Sequence, residues 1–70
     1  MEEIKIKTDF IKLDAFLKFC GEAGTGGEAK LLVAGREIKV DGEVCTMRGK
    51  KLYPGDRVSA PGGEYCVCGE

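Results

Sequence analysis

The chain has 70 residues, with 11 basic and 12 acidic side chains, four cysteines and no histidine. So short a chain buries only about 60% of its unfolded surface, which allows one domain, 1–70, with one modest core. Without histidine the commonest general base and the usual Ser-His and Cys-His nucleophile pairs are missing, and no enzyme is expected. The net charge of −1 argues against a nucleic-acid binder as an average, yet residues 1–29 carry −2, residues 30–57 carry +3 and residues 58–70 carry −2.

Ile4 and Ile6 alternate with Lys5 and Lys7, a period of two that suits a short half-buried strand. From Lys12 the period changes. Leu13, Phe16, Leu17 and Cys20 fall at i, i+3, i+4 and i+7, the apolar stripe of a helix at about 12–20 that Gly21 is placed to end. Thr25 and Glu28 stand in the S/T-x-x-E arrangement of a capping box, so a second helix starts there after a glycine-rich corner. Ala29, Leu32 and Val33 form its apolar face, Lys30 lies off that face, and Gly35 is positioned to stop it.

Beyond Gly35, Ile38 and Val40 face one way and Glu37, Lys39 and Asp41 the other. Asp41-Gly42 is a type I′ hairpin signal, with Val44 opening the return strand. Pro54-Gly55-Asp56 makes a turn, Arg57 to Ala60 a short strand, Pro61-Gly62-Gly63 another turn and Tyr65 to Cys68 a last strand. The order strand, two helices, small antiparallel sheet places the chain in the α+β class. It contains no internal repeat, linker or low-complexity segment.

Met1-Glu2-Glu3 lacks the basic and apolar regions of a signal peptide, and Leu31-Leu32-Val33-Ala34 is far shorter than the roughly 20 apolar residues that span a bilayer. A reducing, cytoplasmic setting without membrane association is expected. Cys66 and Cys68 share a strand face, where two buried thiols pack like small apolar residues. Zinc frameworks usually space paired thiolates by two or more residues and need two further ligands, so no metal site is expected. The Gly24 to Gly27 loop carries neither Gly-Lys-Ser/Thr nor Gly-x-Gly-x-x-Gly, and no nucleotide, cofactor or small-molecule substrate is expected. Its amides at a helix N-terminus are still suited to one backbone phosphate.

The central cations divide into Lys30 and Arg36 around the second helix, Lys39 outward on the hairpin strand, and Arg48-Gly49-Lys50-Lys51 after the hairpin. A compact fold of this size can bring them onto one face. Phe10, Phe16 and Phe19 read as core or core-edge residues. Tyr53, beside the basic group, is the one aromatic suited to stacking.

These segments together resemble the RNA-binding S4 domain, or alpha-L motif, over roughly Lys12 to Val58. The likeness rests on Lys12-Leu13-Asp14 followed by Phe16 and Leu17, on Ala29-Lys30 in a capped second helix, on the hairpin Ile38-Lys39-Val40-Asp41-Gly42, and on Pro54-Gly55-Asp56 before Val58. Gly26-Gly27-Glu28-Ala29-Lys30 and Arg48-Gly49-Lys50-Lys51-Leu52 are similar to the small stand-alone bacterial YaaA-type members. Thr25-Gly26 departs from the family, where many members have Ser-Arg.

The resemblance implies two short helices packed on a small, mainly antiparallel sheet, and recognition of structured RNA, ribosomal or transfer RNA, through shape and phosphate. The contacts it implies are Lys12, Thr25, Gly26, Gly27, Lys30, Arg36, Lys39, Arg48, Lys50 and Lys51. A ribosome-assembly or RNA-adaptor role, with ribosome or ribonucleoprotein association, is the extrapolation for a domain that stands alone. Two rivals are a protein-interaction module that kept the fold but binds RNA weakly or not at all, and a beta-grasp sulfur carrier. Against the latter stands the ending Cys68-Gly69-Glu70, where such carriers expose Gly-Gly.

Overall fold

Alternating and helical apolar patterns become nine elements in the computed structural model, which describes residues 1–70. They are β1 (Glu2–Ile6), β2 (Ile11–Lys12), α1 (Leu13–Phe19), α2 (Gly26–Ala34), β3 (Lys39–Val40), β4 (Glu43–Val44), β5 (Lys51–Leu52), β6 (Arg57–Ala60) and β7 (Gly63–Gly69). The fold is α+β. Five strands form one sheet in the order β1-β7-β6-β3-β4, antiparallel except for the parallel pair of β1 and β7, and β2 and β5 form a separate antiparallel ladder.

One apolar cluster joins the layers. Ile4 and Ile6 of β1, Val40 of β3, Val58 of β6 and Tyr65 and Val67 of β7 meet Leu13, Phe16 and Leu17 of α1 and Ala29 and Val33 of α2. Phe16 packs edge-on against Tyr65, with ring centroids 6.3 Å apart. Burying each large apolar side chain contributes about 1.5–3 kcal/mol, so the helices are held to the sheet mainly by these residues.

Local chemistry decides most boundaries. Asp41 and Gly42 both take positive φ, 52° and 87°, as a type I′ hairpin requires. Asp41 also ties the hairpin to β6, its carboxylate accepting the Arg57 N–H at 2.9 Å. At the next turn Gly55 has φ 101°, and the Asp56 N–H donates to the Tyr53 carbonyl at 2.9 Å, closing a type II turn. Thr25 caps α2 by accepting the Glu28 N–H at 3.1 Å, while the Glu28 carboxylate reaches back to the Gly24 N–H at 3.3 Å.

Four expectations need correction. Lys12 is extended, with φ −75° and ψ 148°, and belongs to β2, so α1 begins at Leu13, the first residue of the apolar stripe, and not at Lys12. Gly35 does not take the left-handed position that ends α2; it has φ −78°, and Arg36 takes that position with φ 61°. The Arg36 N–H donates to the Val33 carbonyl and the Glu37 N–H to the Leu32 carbonyl, both at 3.2 Å, a Schellman ending displaced by one residue. Phe19 is 62% exposed and is not a core residue. Tyr65 and Val67 face the helices, so Cys66 and Cys68 lie half-buried on the opposite face of β7 with their sulfurs 3.9 Å apart. All four cysteines are free.

The corner between the helices is clasped to the sheet by Glu22. Its carboxylate accepts the Gly62 N–H at 3.1 Å and the Tyr65 hydroxyl. A side chain at position 62 would displace that carboxylate from the clasp. No helix is long and apolar enough to cross a membrane.

Candidate nucleic-acid interface

The start of α1 has no side-chain cap, because Lys12 offers no acceptor. Two of the amides left over at a helix N-terminus are met instead by the backbone of the basic segment. The Leu13 N–H donates to the Lys50 carbonyl at 2.9 Å and the Asp14 N–H to the Arg48 carbonyl at 3.0 Å. Arg48 and Lys50 thus have main chain turned toward α1, and the side chains of Arg48, Lys50 and Lys51 are exposed to solvent. What read as a loop is a structural part with a fixed place.

The ladder of β2 and β5 adds Lys12 to this group. Ile11 pairs with Leu52 and Lys12 with Lys51, so two exposed lysines stand directly opposite each other. Leu52 is fully buried on the inner face. Side chains directly opposite on an antiparallel pair have Cβ atoms about 4.5–5.5 Å apart, and like charges there oppose folding. An anion held between them would relieve that repulsion. The ladder was not visible in the sequence because two residues per strand carry no measurable period.

The other predicted contacts are spread more widely. Lys30 lies at the middle of α2 and Arg36 just past its end, about 9 Å apart along the axis at helical rise, and both are exposed. Thr25 is engaged as the cap, and the exposed Gly26 and Gly27 form the first turn of α2. The carboxylate of Glu28 already occupies this helix end, which lowers its attraction for a phosphate. Lys39 alternates with buried Val40, so it lies on the face of the sheet away from the helices. There it lines a groove of about 560 Å³ with Arg57, Asp41, Ser59 and Glu64. The structure therefore brings Lys12, Arg48, Lys50 and Lys51 together and leaves Lys39 on a different surface.

Aromatic residues border Lys51. Phe10, expected to be core or core-edge, is half-buried, and its ring centroid lies 5.9 Å from that of Tyr53 at an angle of 46°. The Lys51 ammonium lies 4.8 Å from the Phe10 centroid. Nothing in the sequence pointed to Phe10, because its partner is 43 positions away and the short strands that align them give no periodic signal.

Comparison with known proteins identifies the family. The sequence model of a family described as S4 domain matches residues 4–68. The chain is also 41% identical over 59 residues to a protein of Bacillus subtilis (strain 168) named probable ribosome maturation protein RlbA, covering 84% of this chain and 83% of that protein. The family match extends beyond the Lys12 to Val58 stretch on both sides, taking in most of β1 and β7. It also sets aside the sulfur-carrier alternative.

Proposed function

The chain belongs to the S4 domain family, and from that premise we propose that it is a non-catalytic module of the bacterial cytoplasm that binds structured RNA, ribosomal or transfer RNA, by its phosphates. The observation that carries the proposal is the grouping of Lys12, Arg48, Lys50 and Lys51 at the start of α1, where two lysines are paired face to face. Such a group neutralises closely spaced phosphates, and its rigid backbone fixes the register without reading base edges. Thr25, Gly26, Gly27, Lys30 and Arg36, in and around α2, extend the contact in the proposal, and Lys39, on the other face of the sheet, falls outside it. The name of the Bacillus relative supports ribosome maturation as the setting, and the absence of histidine supports a binding role without catalysis.

A salt titration with ribosomal or transfer RNA tests this. Log affinity should fall with log salt at a slope near −0.7 to −0.9 for each phosphate contacted. The triple substitution Arg48→Glu, Lys50→Glu, Lys51→Glu should abolish binding while circular dichroism stays native. Equal binding by both proteins would remove this face from the mechanism.

A second reading, a protein-interaction module, is favoured by one surface. Leu31 of α2 is 72% exposed, and with Leu32 it lines a shallow depression edged by Glu22, Glu28 and Glu37. RNA binding that is weak and independent of salt would support it.

A further inference from the structure

We infer that Tyr53, braced by Phe10 and flanked by Lys51, is a stacking platform for one unpaired base, so that the RNA held here carries an unpaired nucleotide beside the stem whose phosphates the lysines contact. The inference rests on the RNA-binding reading above and adds what kind of RNA the site selects.

The register of the small ladder is the basis. Ile11 pairs with Leu52 and Lys12 with Lys51. Continuing that register by one step sets Phe10 opposite Tyr53. Side chains alternate along a strand, so Phe10 and Lys12 fall on one face and Tyr53 and Lys51 on the same face, while Ile11 and Leu52 turn inward. One face of the ladder, extended in this way to six residues, therefore displays two lysines and, immediately beside them, two aromatic rings. Lys51 is the diagonal neighbour of Phe10, which accounts for the 4.8 Å from its ammonium to that ring.

The platform is rigid and open. Tyr53 is pinned through its backbone, its N–H donating to the Asp56 carboxylate at 2.9 Å and its carbonyl accepting the Asp56 N–H at 2.9 Å. The same turn is docked on β7 by the Gly55 N–H donating to the Val67 carbonyl at 2.8 Å. Its side chain is 49% exposed, and the tilted contact with Phe10 limits how it turns. The backbone that carries the ring is fixed, and every base offers a π face, so the platform selects for an unpaired base and not for its identity. Lys51 places a positive charge where the phosphate next to that base would lie.

Two hairpin RNAs with the same stem test this, one fully paired and one with a single bulged 2-aminopurine. Binding of the native chain, Tyr53→Ala, Tyr53→Phe and the triple charge variant is followed by anisotropy and by 2-aminopurine fluorescence at several salt concentrations. The native chain should bind the bulged hairpin on the order of 10-fold more tightly and quench its fluorescence. Tyr53→Ala should lose that advantage with the salt slope unchanged, and Tyr53→Phe should keep it. Salt-dependent binding of both hairpins with equal affinity and no quenching overturns the platform while leaving the RNA-binding reading intact. Absence of binding to either hairpin, or binding indifferent to salt and to the triple substitution, overturns both. Should Tyr53→Ala unfold, as circular dichroism would reveal, Tyr53→Leu, which keeps an apolar side chain against Phe10, takes its place: it should lose the quenching, and quenching retained in it overturns the platform.

Discussion

Lys12 and Lys51 are paired across the β2–β5 ladder with both side chains exposed, and Lys12 is also the residue that precedes α1. Two positive charges thus oppose each other beside the positive end of a helix, an arrangement that works against folding. Lys12→Glu should stabilise the free chain by about 0.5–1 kcal/mol through both effects, while weakening RNA binding. Urea unfolding and RNA titration on the same sample check the pair of signs. Loss of both stability and affinity would mean that the lysine is held for packing.

Arg36 offers a second separation of stability from binding. Its φ of 61° places a side chain in the left-handed region, which costs about 1–2 kcal/mol and which glycine adopts freely. Arg36→Gly should gain roughly 0.5–1 kcal/mol after the extra entropy of unfolded glycine is subtracted. RNA affinity should fall severalfold at low salt if the guanidinium meets a phosphate. A destabilised variant in thermal unfolding would show that the arginine side chain packs.

The Glu22 clasp predicts strong coupling between distant positions. Gly62→Ala pushes a methyl group into the Glu22 carboxylate, and Glu22→Gln weakens the bonds to the Gly62 N–H and the Tyr65 hydroxyl. Each change should cost about 1–2 kcal/mol. The double variant should cost little more than either alone, because both break the same contact. Additive losses in a double-mutant cycle would show that the two act separately.

Alkaline pH should loosen the same clasp. The Tyr65 hydroxyl is pushed up from 10.0 to about 12, first by its hydrogen bond to Glu22 and then by burial. The folded state holds this proton more tightly than the unfolded state, so the contribution is fully present below pH 10 and is lost as pH rises toward 12. Urea midpoints measured across that window should decline in the native chain and decline less in Tyr65→Phe. Parallel pH profiles would assign the effect to other groups.

Features set by neighbouring residues were legible in the sequence. The Asp41-Gly42 hairpin, the Thr25 cap and the span of β6 all follow from side chains within four positions of one another. The family resemblance, built on such segments, held over a longer stretch than those segments cover. The candidate site was only partly visible. Its cations were named, but the sequence could not tell that Arg48 and Lys50 hold α1 by their carbonyls, or that Lys39 lies on another surface.

By itself, then, the sequence determined the order of the longer elements, the type of the Asp41-Gly42 hairpin, the places of the turns and the inventory of cations, because each depends on backbone preferences and short periodicities. Tertiary structure alone decided the pairing of β1 with β7, the turning of Cys66 and Cys68 to the face of β7 away from the helices, and the alignment of Phe10 and Lys12 with Tyr53 and Lys51. The physical reason is register. Whether a residue at an odd or even position faces the core has no meaning until its strand has a partner, and these partners lie about 40 to 60 positions away in the chain. Lys12 became the counterpart of Lys51 only when Ile11 and Leu52 were drawn inward together.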